Sequence, residues 1–348
     1  MKNKKMKGLV LFGPRDLRFQ KYDIPVPKPD EALVRIKSVG ICGSDIHIYQ
    51  DGRIGPYIIK EPLILGHECS GEIIEVGSNV RNLRVGDKVI FEPGYPCGKC
   101  WYCRHGKYNN CKNVTFMATP PYNGSMVEFM TWPANYLYKM PKDMSFQEGA
   151  LIEPFCVGLQ SARRADFNFG ANLVILGSGP IGLMILEAVK TLGAGEIIVV
   201  DVIPNRLEMA KKMGADYVIN AKENDVEKKV KELTSGEGVN FVFEAAGTAK
   251  TFNQSVYLAR QGGKVILTGI IQENNIPMPM GTIIFRDIDI IPIFRYYNVF
   301  EEAINLVAHK RANILPIKTH EYPFEKALEA FETAEKNKEE ALKVIINI

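Results

Sequence analysis

The sequence predicts an α/β protein in which a doubly wound parallel sheet domain accompanies a second, β-rich domain. Three observations lead to this fold class. After residue 172, short apolar runs alternate with segments of helical periodicity. Before residue 138, short strand patterns are separated by glycine and proline turns. Four of the chain's seven cysteines lie together in one loop, within residues 96–111.

The composition is that of an ordinary globular protein. The chain has 348 residues, of which 46% are hydrophobic and 24% charged, enough for about two domains with full cores. A net charge of +3 is too small to favour a nucleic-acid partner. The N-terminal apolar run, residues 9–12, is too short for a signal peptide, and no run approaches the ~18 residues of a membrane span. We therefore expect a cytoplasmic protein with neither a nucleic-acid nor a membrane partner.

The clustered cysteines follow the spacing C-x2-C-x2-C-x7-C. They are Cys97, Cys100, Cys103 and Cys111. In a reducing cytosol such thiols hold a metal more often than they form disulfides or remain free. Two-residue gaps let a tight turn direct two thiolates at one ion, and four thiolates leave no open coordination position. The loop therefore predicts a structural zinc site.

The second half of the chain begins with the pattern strand, glycine turn, helix, strand. The segments are "NLVIL", "GSGPIG", "LMILEAVKTLGAG" and "EIIVVD", and Pro180 suits the first turn of the helix. Further strands are predicted at "DYVIN", "VNFVFEAAG", "KVILTG" and "IDIIPI". Helices are predicted at "RLEMAKKMGA", "DVEKKVKEL" and "TFNQSVYLARQGG". Six strands with helices between them describe a doubly wound parallel sheet over residues 156–293.

The first half predicts strands such as "ALVRIKSVG", "GEIIEVG", "DKVIFEP" and "FMTWP", which suggest an antiparallel or barrel-like domain. After residue 293 the chain returns to mixed helix and strand and ends in "ALKVIINI". We expect this tail to rejoin the first domain. Residues 1–155 and 294–348 would then form one domain, with the sheet domain inserted between them.

The glycine turn predicts a dinucleotide site, because its G-x-G-x-x-G pattern follows a strand and opens a helix. The glycines are Gly177, Gly179 and Gly182. At the end of the second strand stands Asp201, where a carboxylate accepts the ribose hydroxyls and repels a 2′-phosphate. Asp201 thus favours NAD over NADP. Arg206 argues for NADP instead, because an arginine near this strand end can accommodate the 2′-phosphate.

Three separate segments carry residues that suit a catalytic zinc with an open position. "GICGSDIH" contains Cys42, "GHECSGEIIEVG" contains His67 and Glu68, and "LIEPFCVG" contains Glu153. Each residue alone has a plainer interpretation: a small core cysteine, a buried histidine with a hydrogen-bond partner, or a turn-capping carboxylate. Together they predict one thiolate, one imidazole and one or two carboxylates around an ion.

With these segments in order, the sequence resembles the zinc-dependent medium-chain alcohol dehydrogenases, and most of all the bacterial sorbitol (polyol) dehydrogenases. The general resemblance rests on "GHECSGEIIEVGSNVRNLRVGDKV", the cysteine loop and "GSGPIG". The closer one rests on "GRIGPYIIKEPLILGHE", "FMATPPYNG", "ALIEPFCVG" and "IFRYYN". It implies a GroES-like catalytic domain, a Rossmann domain that binds NAD, one catalytic and one structural zinc per chain, and a homotetramer. The implied reaction is oxidation of a secondary alcohol of a sorbitol-like polyol to the ketose.

The resemblance also implies roles for single residues. Cys42 and His67 would bind the catalytic zinc with Glu68, Glu153 or both, and Ser44 and His47 would form a proton relay. The NAD site would be lined, besides the glycine turn, by Pro180, Ile181, Asp201, Arg206, Gly269, Phe294 and Arg295. The substrate would contact Phe116, Thr119, Glu153, Arg295 and Tyr296.

Two departures from the pattern stand out. Animal sorbitol dehydrogenases carry a tyrosine where this chain has Ile48, and they lack most of the four-cysteine cluster.

The nearest alternative function is that of a related enzyme acting on galactitol, xylitol, butanediol, threonine or a polyol phosphate. Two other classes are a zinc-ribbon protein that binds nucleic acid, which the weak net charge disfavours, and a non-catalytic nucleotide-binding relative, which would lack Cys42, His67 and Glu153.

Overall fold

The computed structural model describes residues 5–271, 273 and 275–348, and the chain forms two compact units. The first unit contains the residues up to Glu153 together with Phe300–Ala308 and Lys318–Ile348. The second unit contains Pro154–Val299 and His309–Ile317.

The strands of the described residues are numbered in chain order. They are β1 Lys5–Gly13, β2 Asp16–Asp23, β3 Glu31–Gly40, β4 Arg53–Ile54, β5 Tyr57–Ile58, β6 Leu63–Ile64, β7 Glu68–Val76, β8 Lys88–Phe91, β9 Gly94–Tyr95, β10 Thr115–Phe116, β11 Phe129–Pro133, β12 Leu137–Lys139, β13 Leu173–Leu176, β14 Ile197–Asp201, β15 Tyr217–Asn220, β16 Val239–Glu244, β17 Ala259–Leu267, β18 Asp289–Pro292, β19 Lys318–Pro323 and β20 Lys343–Asn347.

The α-helices are numbered in the same way. They are α1 Gly43–Asp51, α2 Trp101–Arg104, α3 Phe146–Arg164, α4 Pro180–Thr191, α5 Pro204–Met213, α6 Val226–Leu233, α7 Ala249–Leu258, α8 Met280–Phe285, α9 Phe300–Ala308 and α10 Ala327–Lys336.

The first unit is built on a seven-stranded sheet in the order β12-β8-β7-β3-β20-β19, with β11 also paired to β3. Strand β3 is central, and most of its residues are buried, as its apolar pattern predicts. Its neighbours β7 and β20 are both antiparallel to it, so Gly40 at its end lies opposite Glu68 on one side and Ile345 on the other. The end of β3 and the starts of β7 and β20 therefore meet at one place.

The second unit contains a six-stranded parallel sheet in the order β15-β14-β13-β16-β17-β18. This is the strand order of two mononucleotide-binding halves, and the order reverses between β13 and β16. Strands β13 and β14 are buried along their whole length because helices cover both faces of such a sheet. All six strands predicted from the sequence are confirmed.

One predicted helix was too long. The pattern predicted a helix over 251–263, but α7 ends at Leu258 and Ala259 already has extended backbone (φ −67°, ψ 140°). Gly262 follows with φ +68°, a conformation that a helix cannot contain. Residues 259–263 therefore open β17 instead of closing α7, and helix α8 had no prediction at all.

The sequence assigned residues 1–155 and 294–348 to the first domain, but residues 154–155 and 294–299 belong to the second unit. So does the segment His309–Ile317. Two hydrogen bonds attach it to α4: Asn313 N–H donates to the carboxylate of Glu187 (2.7 Å), and the hydroxyl of Thr191 donates to the carbonyl of Arg311 (3.3 Å). Within the described part of the chain, none of the helices has the length and apolar character needed to cross a membrane.

Candidate metal and cofactor sites

Asp45 organises the first candidate site from the N-terminus of α1. Cys42 is the residue that caps this helix, and its N–H donates to Asp45 Oδ2 (3.0 Å). The other oxygen, Oδ1, accepts the N–H of Gly66 (3.0 Å). Asp45 is fully buried, so these bonds replace the water it has lost. The carboxylate of Asp45 therefore holds the backbone of both Cys42 and Gly66, next to two of the candidate ligands.

His67 lies beside this carboxylate, with Nδ1 3.7 Å from Asp45 Oδ1. Burial disfavours a charged imidazole, but interactions with the Asp45 carboxylate and with Cys42 outweigh it and raise the pKa of His67 well above its usual value. The negative group beside His67 thus favours a positive charge at this point.

Glu68 and Lys343 form a completely buried ion pair at the same place. Lys343 Nζ lies 2.6 and 2.7 Å from the two carboxylate oxygens of Glu68, and it also donates to the carbonyl of Ile41 (3.2 Å). A side chain on Gly40, opposite Glu68, would collide with the carboxylate, so the pair needs glycine there. Burial opposes the charge on Lys343, but Glu68 outweighs it and raises the pKa of the ammonium.

One ligand atom each of Cys42, His67 and Glu68 lies within 4.8 Å of the other two. Ligands bound to zinc at 2.0–2.3 Å in a tetrahedron stand about 3.5 Å apart, so a small contraction suffices. Thiolate, imidazole and carboxylate are ligands that zinc accepts. Lys343 is one buried cation, whereas Asp45, Glu68 and Glu153 are three buried carboxylates in this region. The donor set fits a divalent ion.

Glu153 lies in α3 and is buried, but it does not belong to this three-residue group. Its charge nevertheless acts on both Lys343 and Cys69. The structure therefore brings Cys42, His67 and Glu68 together and leaves Glu153 as a nearby carboxylate.

The remaining predicted residues of this region surround the group. Ser44 and His47 are three residues apart on α1, on one side of the helix. Partial burial lowers the pKa of His47. The ring of Phe116 lies 5.9 Å from that of His67, and Thr119 N–H donates to the carbonyl of Phe116 (3.2 Å).

The four cysteines of the loop also come together. Cys100 Sγ lies 3.3 Å from Cys103 Sγ, and the backbone N–H of Cys97 points at Cys111 Sγ (3.4 Å). N–H groups of Lys99 and Cys100 lower the pKa of Cys97 to about 6, whereas partial burial and the neighbouring thiols raise the pKa of Cys103 to about 12. Four thiols this close cannot all ionise without a compensating cation. The donor set fits a closed zinc site.

A buried carboxylate attaches this loop to the sheet of the first unit. Glu92, 1% exposed, accepts hydrogen bonds from the hydroxyls of Tyr108 in the loop (2.6 Å) and Tyr138 in β12 (2.9 Å). The indole N–H of Trp132 donates to its carbonyl (2.9 Å).

In the second unit, the glycine turn joins β13 to α4. Gly177 has φ +96°, and a side chain there would meet the backbone of Ala246. A side chain on Gly182 would collide with the carbonyl of Gly177, so the helix packs closely on the turn. Gly179 caps α4 and Pro180 is its first residue, which leaves the helix N–H groups free for an anion.

Asp201 ends β14 next to this turn. Its Oδ2 accepts the N–H and the hydroxyl of Ser178 (2.7 and 3.0 Å), and its Oδ1 accepts two N–H groups of the following turn. A cavity of about 390 Å³ opens beside it, lined among others by Gly177, Ala221 and Thr248. Arg206 lies on α5 with its guanidinium near Gly179.

The other predicted residues of the second unit lie at strand ends and in one loop. Gly269 follows β17 and packs so closely on Gly247 that a side chain would collide. Phe294, Arg295 and Tyr296 follow β18; Phe294 is half exposed and Tyr296 is buried. The guanidinium carbon of Arg295 lies 4.9 Å from the ring centre of Phe294.

Two residues at the metal site had no predicted role. Asp45 stands three residues after Cys42, the spacing of a helix-capping carboxylate, and this signal was available. Lys343 is a single charge in the terminal apolar run "ALKVIINI", and a buried lysine needs a partner. The sequence did not indicate which partner.

Comparisons with known proteins agree with this geometry. The "Alcohol dehydrogenase GroES-like domain" family matches residues 28–142, and the "Zinc-binding dehydrogenase" family matches residues 180–309. Sorbitol dehydrogenase of Bacillus subtilis is 41% identical over 98% of this chain and 97% of its own, and that of Homo sapiens is 40% identical over 94% and 92%.

Solved structures agree as well. An Escherichia coli oxidoreductase/dehydrogenase of unknown specificity has a TM-score of 0.95 at 40% identity, and L-idonate 5-dehydrogenase from the same organism has 0.91 at 31%. Both comparisons cover 99% of each chain.

The predicted fold class, a GroES-like domain with a Rossmann domain, is confirmed, as are the predicted cofactors zinc and NAD. The chain belongs to the zinc-dependent medium-chain alcohol dehydrogenases, among which it is similar to the sorbitol dehydrogenases.

Proposed function

We propose that this enzyme oxidises a secondary alcohol of a sorbitol-like polyol to the ketose, with NAD as the hydride acceptor. The observation that carries the proposal is the group of Cys42, His67 and Glu68, in which His67 and Glu68 are buried and the three ligand atoms lie within 4.8 Å of one another. Identity of 40–42% to sorbitol dehydrogenases over at least 92% of their length supports the substrate class.

Cys42, His67 and Glu68 would hold the catalytic zinc, with Glu153 as the adjacent carboxylate. Asp45 would keep the imidazole in place, as a carboxylate behind a metal-binding histidine commonly does. When bound, zinc supplies Lewis acidity that makes an alcohol easier to deprotonate, and NAD accepts the hydride.

The proton of the substrate hydroxyl would leave through Ser44 and His47, or through water held by Glu153. The lowered pKa of His47 keeps this imidazole neutral near pH 7, so it can accept a proton. Because Ser44 and His47 lie on one side of α1, a single helix can align both steps.

In the second unit, Arg295 and Tyr296 would bind other hydroxyls of the substrate. In the first unit, Phe116 and Thr119 would lie beside the zinc. In support of this, the aromatic ring of Phe116 already lies against His67 and would exclude water there.

NAD would bind at the carboxyl ends of β13 and β14. The turn from Gly177 to Gly182, with Ile181 in the first turn of α4, would take the pyrophosphate, and Asp201 the ribose hydroxyls. Arg206, Gly269, Phe294 and Arg295 would complete this site. In the first unit, the four-cysteine loop would hold a second, structural zinc.

A substrate panel tests the proposal. The zinc-loaded protein is mixed with NAD or NADP and with sorbitol, xylitol, galactitol, butanediol, threonine or a polyol phosphate, and nucleotide reduction is followed by absorbance. We expect reduction of NAD with an unphosphorylated polyol and much slower reduction of NADP. Faster oxidation of threonine, butanediol or a polyol phosphate than of any unphosphorylated polyol would show that the proposed substrate class is wrong. If no alcohol reduced the nucleotide, the proposed activity would be rejected.

We also propose that the enzyme is a homotetramer in the cytoplasm. The assembly is what the resemblance to the sorbitol dehydrogenases implies. Sedimentation equilibrium of the purified protein tests it, since the chain mass of 39.0 kDa separates monomer, dimer and tetramer clearly. Fractionation of the source cells tests the location.

A further inference from the structure

The loop that follows β18 has an unusual backbone. Arg295 and Asn298 both have left-handed conformations, with φ of +54° and +51°. Asparagine tolerates this region, but arginine rarely adopts it, because its Cβ crowds the following carbonyl. Between them lie Tyr296, which is buried, and Tyr297. Such a backbone persists only where surrounding contacts hold it.

Two contacts hold the loop at its ends. At the start, Ile293 N–H donates to the carbonyl of Leu267, which continues the pairing of β18 with β17. At the other end, Arg163 Nη1 donates to the carbonyls of Tyr297 (3.4 Å) and Asn298 (3.0 Å). Arg163 belongs to the last turn of α3, a rigid support, and all of these residues lie in the second unit.

We propose that Arg163 is a positioning residue for polyol binding, because it fixes the loop that presents Arg295 and Tyr296. This inference rests on the proposed function, in which these two side chains contact the substrate. A guanidinium suits the task because it keeps its charge at any working pH and its flat, forked donors reach two consecutive carbonyls. Without it, the loop loses one of the supports of its left-handed backbone, and we expect Arg295 and Tyr296 to be less firmly positioned.

The test compares Arg163→Ala and Arg163→Lys with a matched control. Arg164→Ala removes the next arginine on the same helix, which is equally exposed and has no proposed role. Hydrogen exchange of the amides of residues 295–298 is measured on all variants with zinc bound, together with the KM for the best polyol and for NAD.

We expect Arg163→Ala to speed exchange in residues 295–298 and to raise the polyol KM by about 5- to 10-fold, the loss of roughly one ordinary hydrogen bond. The KM for NAD should rise less, since Phe294 and Arg295 are only part of the proposed NAD site, and Asp201 and the glycine turn are untouched. Arg163→Lys should recover part of the loss, because an ammonium can reach one carbonyl. Arg164→Ala should resemble the wild type in every measurement.

Unchanged exchange at residues 295–298 in Arg163→Ala would overturn the inference. So would equal increases in the two KM values together with a lower melting temperature, since a general structural defect gives that pattern. If the wild type oxidises no polyol, the proposed function fails, but the exchange measurement still decides whether Arg163 holds the loop. If Arg163→Ala does not fold, the same exchange comparison is made with Arg163→Lys.

Discussion

The two candidate zinc sites of the first unit are built in opposite ways. Cys42, His67 and Glu68 lie at the ends of sheet strands and are bound to other protein groups, above all Asp45 and Lys343. The four cysteines lie in a loop with little regular structure, and their sulfur atoms contact one another and backbone N–H groups.

The difference follows from what each site must do. A catalytic zinc keeps an open position, so the protein must direct three different ligands by its own contacts. A closed four-thiolate site can rely on the ion itself, because metal binding and folding of such loops are coupled. We therefore expect the first site to survive metal removal and the loop to lose its structure.

Removing one ligand from each zinc site should give the largest effects and should distinguish the roles of the two sites. Cys42→Ser should lower the zinc content from about two ions per chain to about one and abolish alcohol oxidation, because the remaining donors cannot hold the ion. Cys103→Ser should remove the other ion and lower the midpoint of thermal unfolding. Metal analysis, a turnover assay and calorimetry measure these effects.

Cys69→Ser is a control for the substitution itself, because this cysteine belongs to neither group. It should keep both ions. The assignment of one catalytic and one structural site would be contradicted if Cys42→Ser retained two zinc ions. It would also be contradicted if Cys103→Ser lost turnover while keeping its thermal stability.

Removal of Lys343 tests the buried charges that support the first site. Lys343→Met leaves the carboxylate of Glu68 buried without its partner, which should lower the free energy of unfolding by about 3–5 kcal/mol. A second change, Glu68→Gln, should restore part of the loss, because it removes the unpaired charge. Denaturant unfolding of both variants, freed of zinc by a chelator, measures the effect.

Lys37→Met is the matched control, a lysine of strand β3 that is not fully buried. Lys37→Met should lower the free energy of unfolding by less than about 0.5 kcal/mol. A loss of the same size in Lys37→Met and Lys343→Met would show that the ion pair contributes nothing special.

Asp45→Asn should have a smaller effect, on metal affinity more than on folding. The amide keeps one acceptor for the helix N-terminus but loses the charge beside His67, and such partners of metal ligands typically account for 10- to 100-fold in affinity. Competition with a chelator measures zinc affinity, with Asp51→Asn at the other end of α1 as control. Equal affinities for Asp45→Asn and the wild type would contradict this.

Much of the architecture followed from local sequence signals. The six strands, the turn from Gly177 to Gly182 and the position of Asp201 each depend on residues close together in the chain. The grouping of the four cysteines follows from spacing alone, because a turn brings them together wherever the loop lies.

The features that escaped prediction depend on distant partners. Glu68 and Lys343 are 275 residues apart, and they meet only because β7 and β20 both pair with β3. The early end of α7 similarly reflects the pairing of Ala259 with Val239 in the sheet, which outweighs a helical pattern. Segment 309–317 attaches to α4 through Glu187, a contact with no local sign.

Glu92 gives the smallest expected effect and the finest test of how the cysteine loop is attached. Burial raises the pKa of this carboxyl, although the hydroxyls of Tyr108 and Tyr138 donate to it. The folded protein thus binds this proton more tightly than the unfolded chain does. That contribution is complete below the unfolded pKa of about 4.3 and is lost as the pH rises through the higher folded pKa. Glu92→Gln keeps an acceptor and does not titrate, so we expect it to gain stability relative to the wild type as pH rises from about 4, by on the order of 1 kcal/mol.

Unfolding of the zinc-loaded wild type and Glu92→Gln across this pH range measures the difference in stability, with Glu75→Gln, at an exposed position, as control. A relative loss of stability with rising pH would mean that the ionised carboxylate, accepting two hydroxyls, holds the loop better than its neutral form.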